Sequence, residues 1–346
     1  MALHPAVAAV RLAVRRDLPL LPDGEGGVWS PEVKSGGCVL VACSGGADSL
    51  ALLAAVVFET RRAPIRVVGA VVDHGLQEGS AEHTARVVAQ MAALGADETA
   101  SIRVHVDVAS SGVEAGAREA RYAALGQLAT HFGADAVLLG HTLNDQAETV
   151  LLGLTRGSGG RSIAGMRRGF HQDGVRFSRP LLDITRVQTE AACAAEGIEF
   201  WVDPHNSDPR FLRSRVRHDV LPVLERELGP GIAETLARTA DQLRRDMESL
   251  DGLADDWFAR HARGADLSLV LELPDRLVHE TAIATRVLRR AALAAGARAD
   301  ELFAVHVDAL LRLVQAGRPD KEVQLPGHLT AYVADGHLRF RRTNPL

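Results

Sequence analysis

The feature that most constrains this chain is a short apolar run, Cys38–Cys43 (CVLVAC). It gives way at once to Ser44-Gly45-Gly46-Ala47-Asp48-Ser49 and then to a helical pattern. An uninterrupted run of this kind marks a strand buried on both faces, and such strands belong to parallel sheets covered by helices. The pattern then repeats. Ala47 to Glu59 reads as a helix with Leu50, Leu53, Ala54 and Val57 on one face, Ile65–Asp73 as a strand, and Ala81–Leu94 as a helix. Ile102–Val108 follows as a strand, Glu114–His131 as a helix, Ala136–Gly140 as a strand and Asp145–Leu154 as a helix. Strands and helices alternating at this spacing predict an α/β fold, a doubly wound parallel sheet. Ligands of such sheets gather beyond the carboxyl ends of the strands. Three polar clusters fall there: Ser44–Ser49, Asp73–His74 and His141–Glu148.

Beyond this region, residues 156–174 are rich in Gly, Ser and Arg and read as a long loop, which in compact domains is usually functional or mobile. A strand at Val175–Phe177, a helix from Thr185 to Glu196 and an extended Glu199–Val202 follow. After the turn cluster Asp203-Pro204-His205-Asn206, a helix carrying Arg213, Arg215 and Arg217 runs toward Pro222. The texture changes at Gly229-Pro230-Gly231. Long amphipathic helices cover Ile232–Ala262, Arg276–Ala295 and Ala299–Val314, and short extended segments close the chain at Val323–Leu325, Leu329–Val333 and Leu338–Arg341. The expected division is a catalytic domain over 1–229 and a second, mainly helical domain over 230–346.

Composition narrows the class. With 346 residues, 47% of them hydrophobic, the chain can bury a sizeable core, and with 4% aromatics that core must be mostly Ala, Leu and Val. The formal charge of −5 gives no overall basic field, although one arginine-rich face is enough to hold a phosphate backbone. Three cysteines, Cys38, Cys43 and Cys193, provide neither a disulfide framework nor a C-x-x-C pair. The N-terminal apolar stretch is broken by Arg11, Arg15 and Arg16, and no run reaches the ~20 residues needed to span a bilayer, so a cytoplasmic protein without a membrane partner is expected.

The Ser44–Ser49 loop follows a buried strand and opens a helix. Glycines there let backbone approach an anion closely, and helix-start N–H groups point at it. Ser44 and Ser49 add hydroxyl donors, whereas Asp48 would repel phosphate unless Mg²⁺ lay between them. The sequence is not a Walker A motif, because no Gly-Lys-Ser/Thr follows; a capped turn without ligand is the alternative. Asp145 and Glu148 lie three apart at a helix start and share one face. That face suits a cationic ligand or a metal, though carboxylates also stabilise a helix N-terminus unaided.

Taken with their order, these motifs resemble a known family. Ser44-Gly45-Gly46-Ala47-Asp48-Ser49 resembles the pyrophosphate-binding loop of the PP-loop ATP pyrophosphatases. Gly140-His141-Thr142-Leu143-Asn144-Asp145-Gln146-Ala147-Glu148-Thr149 resembles the G-H-x-x-D-D-Q-x-E-T signature of the tRNA(Ile)-lysidine synthetase family, with Asn144 in place of the first aspartate. Asp73-His74-Gly75-Leu76 is similar to the family's strand end near the nucleotide. Ala117-Arg118-Glu119-Ala120-Arg121-Tyr122 is similar to its A-R-x-x-R-Y, and residues 154–159 with Gly165-Met166 to its mobile glycine loop. Arg179-Pro180-Leu181-Leu182, Asp203–Asp208 and Phe211–His218 continue the series, with Ser214 replacing asparagine.

The resemblance implies ATP cleavage between the α- and β-phosphates, with lysine ligated to C2 of the wobble cytidine of the minor isoleucine tRNA through an adenylated cytidine. It implies ATP contacts from Ser44, Gly45, Gly46, Ala47, Asp48, Ser49, Asp73, His74 and His141, with Asp48 holding Mg²⁺ through ATP. Asp145 and Glu148 would bind free L-lysine, and Arg118, Arg213 and Arg217 the tRNA. Asp48, Arg121, Asp145 and Arg213 are the catalytic candidates. The C-terminal half would bind tRNA, with a dimerisation or packing domain as the alternative; a homodimer is the oligomer this would give. Rival readings are a tRNA thiolase, which needs paired cysteines, a small-molecule amide synthetase, which needs an ammonia source, and a catalytically silent binding protein.

Overall fold

Six strands make the first sheet: β1 (Gly37–Ala42), β2 (Ile65–Asp73), β3 (Glu98–Arg103), β4 (Ala136–Leu139), β5 (Gly169–Gln172) and β6 (Val175–Ser178). The computed structural model describes residues 3–18, 37–73, 75, 79–104, 113–156, 159–202, 208–274, 280–317 and 321–343. Strand order is β3-β2-β1-β4-β6-β5, every neighbouring pair being parallel except the β5–β6 hairpin. The apolar run at β1 follows from its place, since it is hydrogen-bonded on both edges and covered on both faces. Alternate residues point opposite ways. Val39 and Val41 pack with Leu50, Leu53, Val67 and Met91, whereas Cys38 and Leu40 pack with Val68, Leu125, Val137 and Phe177.

The first face is covered by α1 (Pro5–Asp17), α2 (Ala47–Thr60), α3 (Ser80–Ala93) and α7 (Arg186–Glu196), the other by α4 (Val113–Phe132). Between them in sequence lie α5 (Leu143–Arg156) and the single turn α6 (Gly160–Ile163). The chain winds from β1 outward to β2 and β3, then crosses back to β4 on the far side of β1. That reversal opens a crevice at the carboxyl ends of β1 and β4, where ligands of open α/β sheets bind.

Three stretches differ from the sequence expectation. Residues 156–174, expected as one long loop, contain α6 and the edge strand β5, which pairs antiparallel with β6 as a hairpin. β3 begins at Glu98 rather than Ile102, because it is a half-exposed edge strand (ETASIR) without an apolar run; the expected end at Val108 lies outside the described residues. The helix expected after Phe211 is broken into α8 (Leu212–Arg215), a π-helical turn (Val216–Val220) and α9 (Leu221–Leu228). Pro222 supplies the reason. In a regular α-helix its ring would meet the carbonyl of His218, and the wider turn, with Leu221 N–H donating to the Val216 carbonyl, relieves that clash.

The chain divides into two compact units, Met1–Asp241 and Gln242–Leu346, with α10 (Ile232–His261) running through the division. The second unit packs α11 (Thr281–Ala294) and α12 (Ala304–Ala316) with a five-stranded sheet of order β7-β8-β11-β10-β9. Its strands are β7 (Ala262–Arg263), β8 (Val270–Glu272), β9 (Glu322–Leu325), β10 (Leu329–Ala334) and β11 (His337–Arg342). The short β7 and β8 carry too few residues to show a period, which is why only the last three strands are legible in the sequence. Leu271, Val287, Leu288, Leu310, Ala331 and Leu338 form this unit's core. No described helix is long and apolar enough to cross a membrane.

Candidate active site

The loop after β1 is shaped by its own serine. Ser49 Oγ accepts the Ser44 N–H at 3.1 Å and donates to the Gly46 carbonyl at 2.9 Å, tying the two ends of the bend together. Gly45 has φ +83°, and a Cβ there would fall 2.7 Å from Val87 Cγ2, so neither its backbone nor its space admits a side chain. The Gly45 carbonyl accepts from Trp201 N–H at 2.9 Å, and His83 Nε2 meets the Ser44 carbonyl at 3.0 Å. Gly46 is the N-cap of α2 with no side-chain cap, which leaves the first N–H groups of that helix for another acceptor. Gly140, at the end of β4, brings the second cluster against this helix start: a Cβ would sit 3.1 Å from the Asp48 carbonyl and 3.1 Å from Ser49 Cα.

Three helices begin in the crevice, α2, α5 and α7, and their first turns carry Asp48, Asp145 and Arg186. Asp48 Oδ1 accepts from Thr189 Oγ1, and its Oδ2 lies 3.4 Å from Arg186 Nε. Burial, with the negative charge of Asp145, lifts Asp48 above the ordinary carboxyl range against the pull of Arg186 and Thr189. Asp145 Oδ2 accepts from the Thr142 N–H at 2.8 Å and the Thr142 hydroxyl at 3.0 Å. Its Oδ1 faces Arg217 Nη2 at 3.3 Å, Arg186 Nη2 at 3.4 Å and Arg213 Nη2 at 3.5 Å. Burial would raise this carboxyl, but Arg186, Arg213 and the Thr142 N–H outweigh it and hold Asp145 down at about 2.

Glu148 is fully buried and accepts from Arg213 Nε at 2.8 Å and Arg217 Nε at 2.6 Å. The π turn lies directly between α8, which carries Arg213, and α9, and Arg217 is its second residue. Asp48, Asp145 and Glu148 thus face Arg186, Arg213 and Arg217 in a balanced knot.

Beside it lies a group of opposite character. Tyr122 Oη accepts from Arg179 Nη2 at 3.1 Å and Arg118 Nη2 at 3.4 Å, and the Arg118 and Arg121 guanidiniums stand 5.2 and 5.5 Å from its ring centre. Among the described residues none of Arg118, Arg121 and Arg179 pairs with a carboxylate. Arg121 Nε is buried without a hydrogen-bond partner. Burial, with the Arg118 and Arg213 charges, lowers the Arg121 pKa. His141 sits between the two groups. Burial pulls it down to about 3, the Asp145 charge opposing and the Arg121, Arg179 and Arg213 charges reinforcing, so the ring is neutral; its Nδ1 is buried and unpartnered.

The structure therefore brings Asp48, Arg121, His141, Asp145, Glu148, Arg213 and Arg217 into one neighbourhood with the Ser44–Ser49 loop. Arg118 is exposed on α4. Asp73, at the end of β2, accepts from Gly75 N–H at 2.8 Å and Arg103 Nη2 at 2.6 Å. His74 lies outside the described residues, as do Gly157, Ser158 and residues 203–207. Arg186 and Thr189 carry no motif in the sequence, and Thr142 and Arg179 stand in motifs without a role. The one available signal for Arg186 is the capping box of Thr185 and Gln188, which fixes where α7 starts.

Comparison with known proteins places the fold and the chain. The PP-loop domain family matches residues 28–224. The U34-tRNA thiolase NcsA from Methanococcus maripaludis, described with its [4Fe-4S] cluster, superimposes with a TM-score of 0.54 at 18% identity, covering 69% of this chain and 79% of that one. That likeness is one of fold. A parallel sheet with the glycine loop at its winding reversal defines a PP-loop ATP-binding protein.

The sequence relatives are more specific. The tRNA(Ile)-lysidine synthase of Thermobifida fusca (strain YX) is 50% identical over 339 residues, 96% of this chain and 97% of that protein. The enzymes of the same name from Streptomyces coelicolor and Salinispora arenicola are 44% and 46% identical, each over at least 97% of both chains. This chain belongs to the tRNA(Ile)-lysidine synthase family.

Proposed function

We propose that this protein ligates free lysine to C2 of the wobble cytidine in an isoleucine tRNA whose anticodon begins with cytidine, converting ATP to AMP and diphosphate. The observation that carries the reading is the buried Asp145–Glu148 pair, an acidic site for an ammonium, one glycine contact away from an anion-binding loop. The cytidine leaves its stack to reach the crevice. Its C2 oxygen attacks the α-phosphorus, the bond to the β-phosphate oxygen breaks, and diphosphate departs. The loop N–H groups, the Ser44 and Ser49 hydroxyls and the uncompensated Arg121 stabilise that leaving charge. The lysine ammonium gives one proton to water, the neutral ε-amine adds at C2, and AMP leaves with the former C2 oxygen as the adduct's nitrogen gives up a second proton to water. Arg186 and Arg213 keep Asp145 ionised and a poor proton acceptor, so orientation of lysine, with one guanidinium making way for it, is the role assigned to the Asp145–Glu148 pair.

Asp48 fits Mg²⁺ as one ligand of a shared site. Among the described residues no group of three or more His, Cys, Asp or Glu side chains could hold a metal, and Asp48 Oδ2 has only a 3.4 Å contact to Arg186. Magnesium is commonly held by one or two carboxylates with substrate phosphates and water. When bound it supplies charge neutralisation to the departing diphosphate. The second unit is assigned to tRNA binding. Thiolase chemistry is disfavoured by the thiols themselves: Cys38, Cys43 and Cys193 are all buried, and burial pushes Cys43 and Cys193 up to about 12.

The test is incubation with the isoleucine tRNA transcript, ATP–Mg²⁺ and labelled lysine. Label should enter the RNA in about one equivalent, and a transcript with uridine at the wobble position should take none. No incorporation into the cytidine transcript rejects the proposal.

A further inference from the structure

Arg186 is the first residue of α7, where a positive charge opposes the helix dipole. Its backbone is fixed there by α5: the Arg186 N–H donates to Asn144 Oδ1 at 2.9 Å, and Leu143 N–H donates to the Ile184 carbonyl at 2.9 Å. From that anchor the guanidinium reaches carboxylates on two elements. Nε lies 3.4 Å from Asp48 Oδ2, Nη2 3.4 Å from Asp145 Oδ1, and Nη1 3.8 Å from Glu148 Oε1. Arg213 and Arg217 instead close on Glu148 at 2.8 and 2.6 Å, and among the described residues neither pairs with Asp48. Arg186 is thus the loosest of the three cations, and it alone spans the phosphate loop and the acidic pair.

We propose that Arg186 is a positioning residue that couples the two halves of the site: a lysine ammonium arriving at Asp145 and Glu148 takes its place there, and the released guanidinium turns to the nucleotide's phosphates beside Asp48. The inference rests on the lysine-ligase reading above. Charge decides the direction. Three carboxylates face three guanidiniums, and a fourth cation entering without a departure would meet repulsion from all three. Arg213 and Arg217 are committed to Glu148 by short bonds. Arg186 holds only contacts beyond 3.3 Å, and it has a second destination, because a triphosphate at the Ser44–Ser49 loop brings negative charge next to Asp48. Each ligand therefore favours the other, and the coupling is reciprocal. Asn144 belongs to the same device. Its neutral amide oxygen fixes the Arg186 backbone without adding a fourth carboxylate that would retain the guanidinium.

The experiment is isothermal titration of the full chain without tRNA, so that ATP has no cytidine to react with. ATP–Mg²⁺ is titrated with and without saturating L-lysine, and lysine with and without ATP–Mg²⁺. Lysine should tighten ATP about fivefold or more, and ATP should tighten lysine by the same factor. In Arg186→Gln both ligands should still bind, with the factor reduced to within about twofold of unity. Arg186→Lys, whose ammonium cannot span both sides at once, should keep part of the coupling. Equal coupling in Arg186→Gln and the parent, or a parent that binds both ligands independently, overturns the proposal while leaving the lysine reading intact. A parent that binds ATP and not lysine overturns both. Should Arg186→Gln not fold, coupling at parental strength in Arg186→Lys overturns the proposal.

Discussion

Two clusters of arginine lie side by side in the crevice, and they differ in what faces them. Around Asp145 and Glu148 three guanidiniums meet three carboxylates, with contacts as short as 2.6 Å. Around Tyr122 the guanidiniums of Arg118, Arg121 and Arg179 share one phenol oxygen and two aromatic faces, with no acidic partner among the described residues. A balanced knot can exchange one cation for another and keep its balance, which suits an ammonium. An unbalanced group is stabilised only when an anion arrives, which suits a leaving diphosphate. The difference supports the proposed division, with the ammonium at the balanced cluster and the diphosphate at the unbalanced one.

The most damaging way to break the balanced side is Glu148→Ala. It leaves Arg213 and Arg217 without their closest acceptor at a site where the carboxylate was fully buried. Removing one partner of a buried pair costs about 3–5 kcal/mol, and the lower end applies because both guanidiniums are 22–25% exposed and can find water. A shift of about 3 kcal/mol in urea unfolding, with loss of lysine incorporation, is expected. A change below about 1 kcal/mol would show that the knot does not hold the helices together.

Arg121→Met sharpens the contrast from the other side. Removing a half-buried cation with no carboxylate partner should leave stability unchanged or raise it, since its desolvation is no longer opposed by anything lost. Single-turnover diphosphate release with tRNA should fall by about 10²–10³, the usual cost of removing one donor aimed at developing charge. A stability loss matching that of Glu148→Ala would mean that the two clusters do not differ in kind.

How much of this was legible in the sequence follows the same division. The sheet was readable because β1 is buried on both faces and its apolar run is uninterrupted; β3 was misplaced because an edge strand needs no such run. The acidic pair was readable because Asp145 and Glu148 share one helix face at i, i+3. Their pairing with arginines was not, even though Arg213 and Arg217 stand among the candidates, because Arg186 and Arg213 arrive from segments 41 and 68 residues away and pair through side chains. No local period records such a contact. The π turn was hidden for a related reason: Pro222 reads as the end of a helix, and only the geometry shows that the chain widens and continues.

The smallest effect concerns His141, the ring between the clusters. Burial keeps it neutral, at about 3, against a model-peptide value near 6.5. In the unfolded chain the ring takes up a proton as pH falls below ~6.5, and in the folded protein it does not until near 3. Between those values the unfolded state binds more protons, so stability falls as pH falls, by at most about 1.4 kcal/mol per pH unit from this one group. Asp145, held at about 2, adds its own loss only below the ordinary carboxyl range. The window from pH 6 to 4.5 therefore isolates the histidine from that aspartate. His141→Asn should flatten the unfolding free energy across this window while leaving the steeper loss below pH 4 in place. If the variant keeps the parental slope, the neutral ring is not what separates the acidic knot from the arginines beside it.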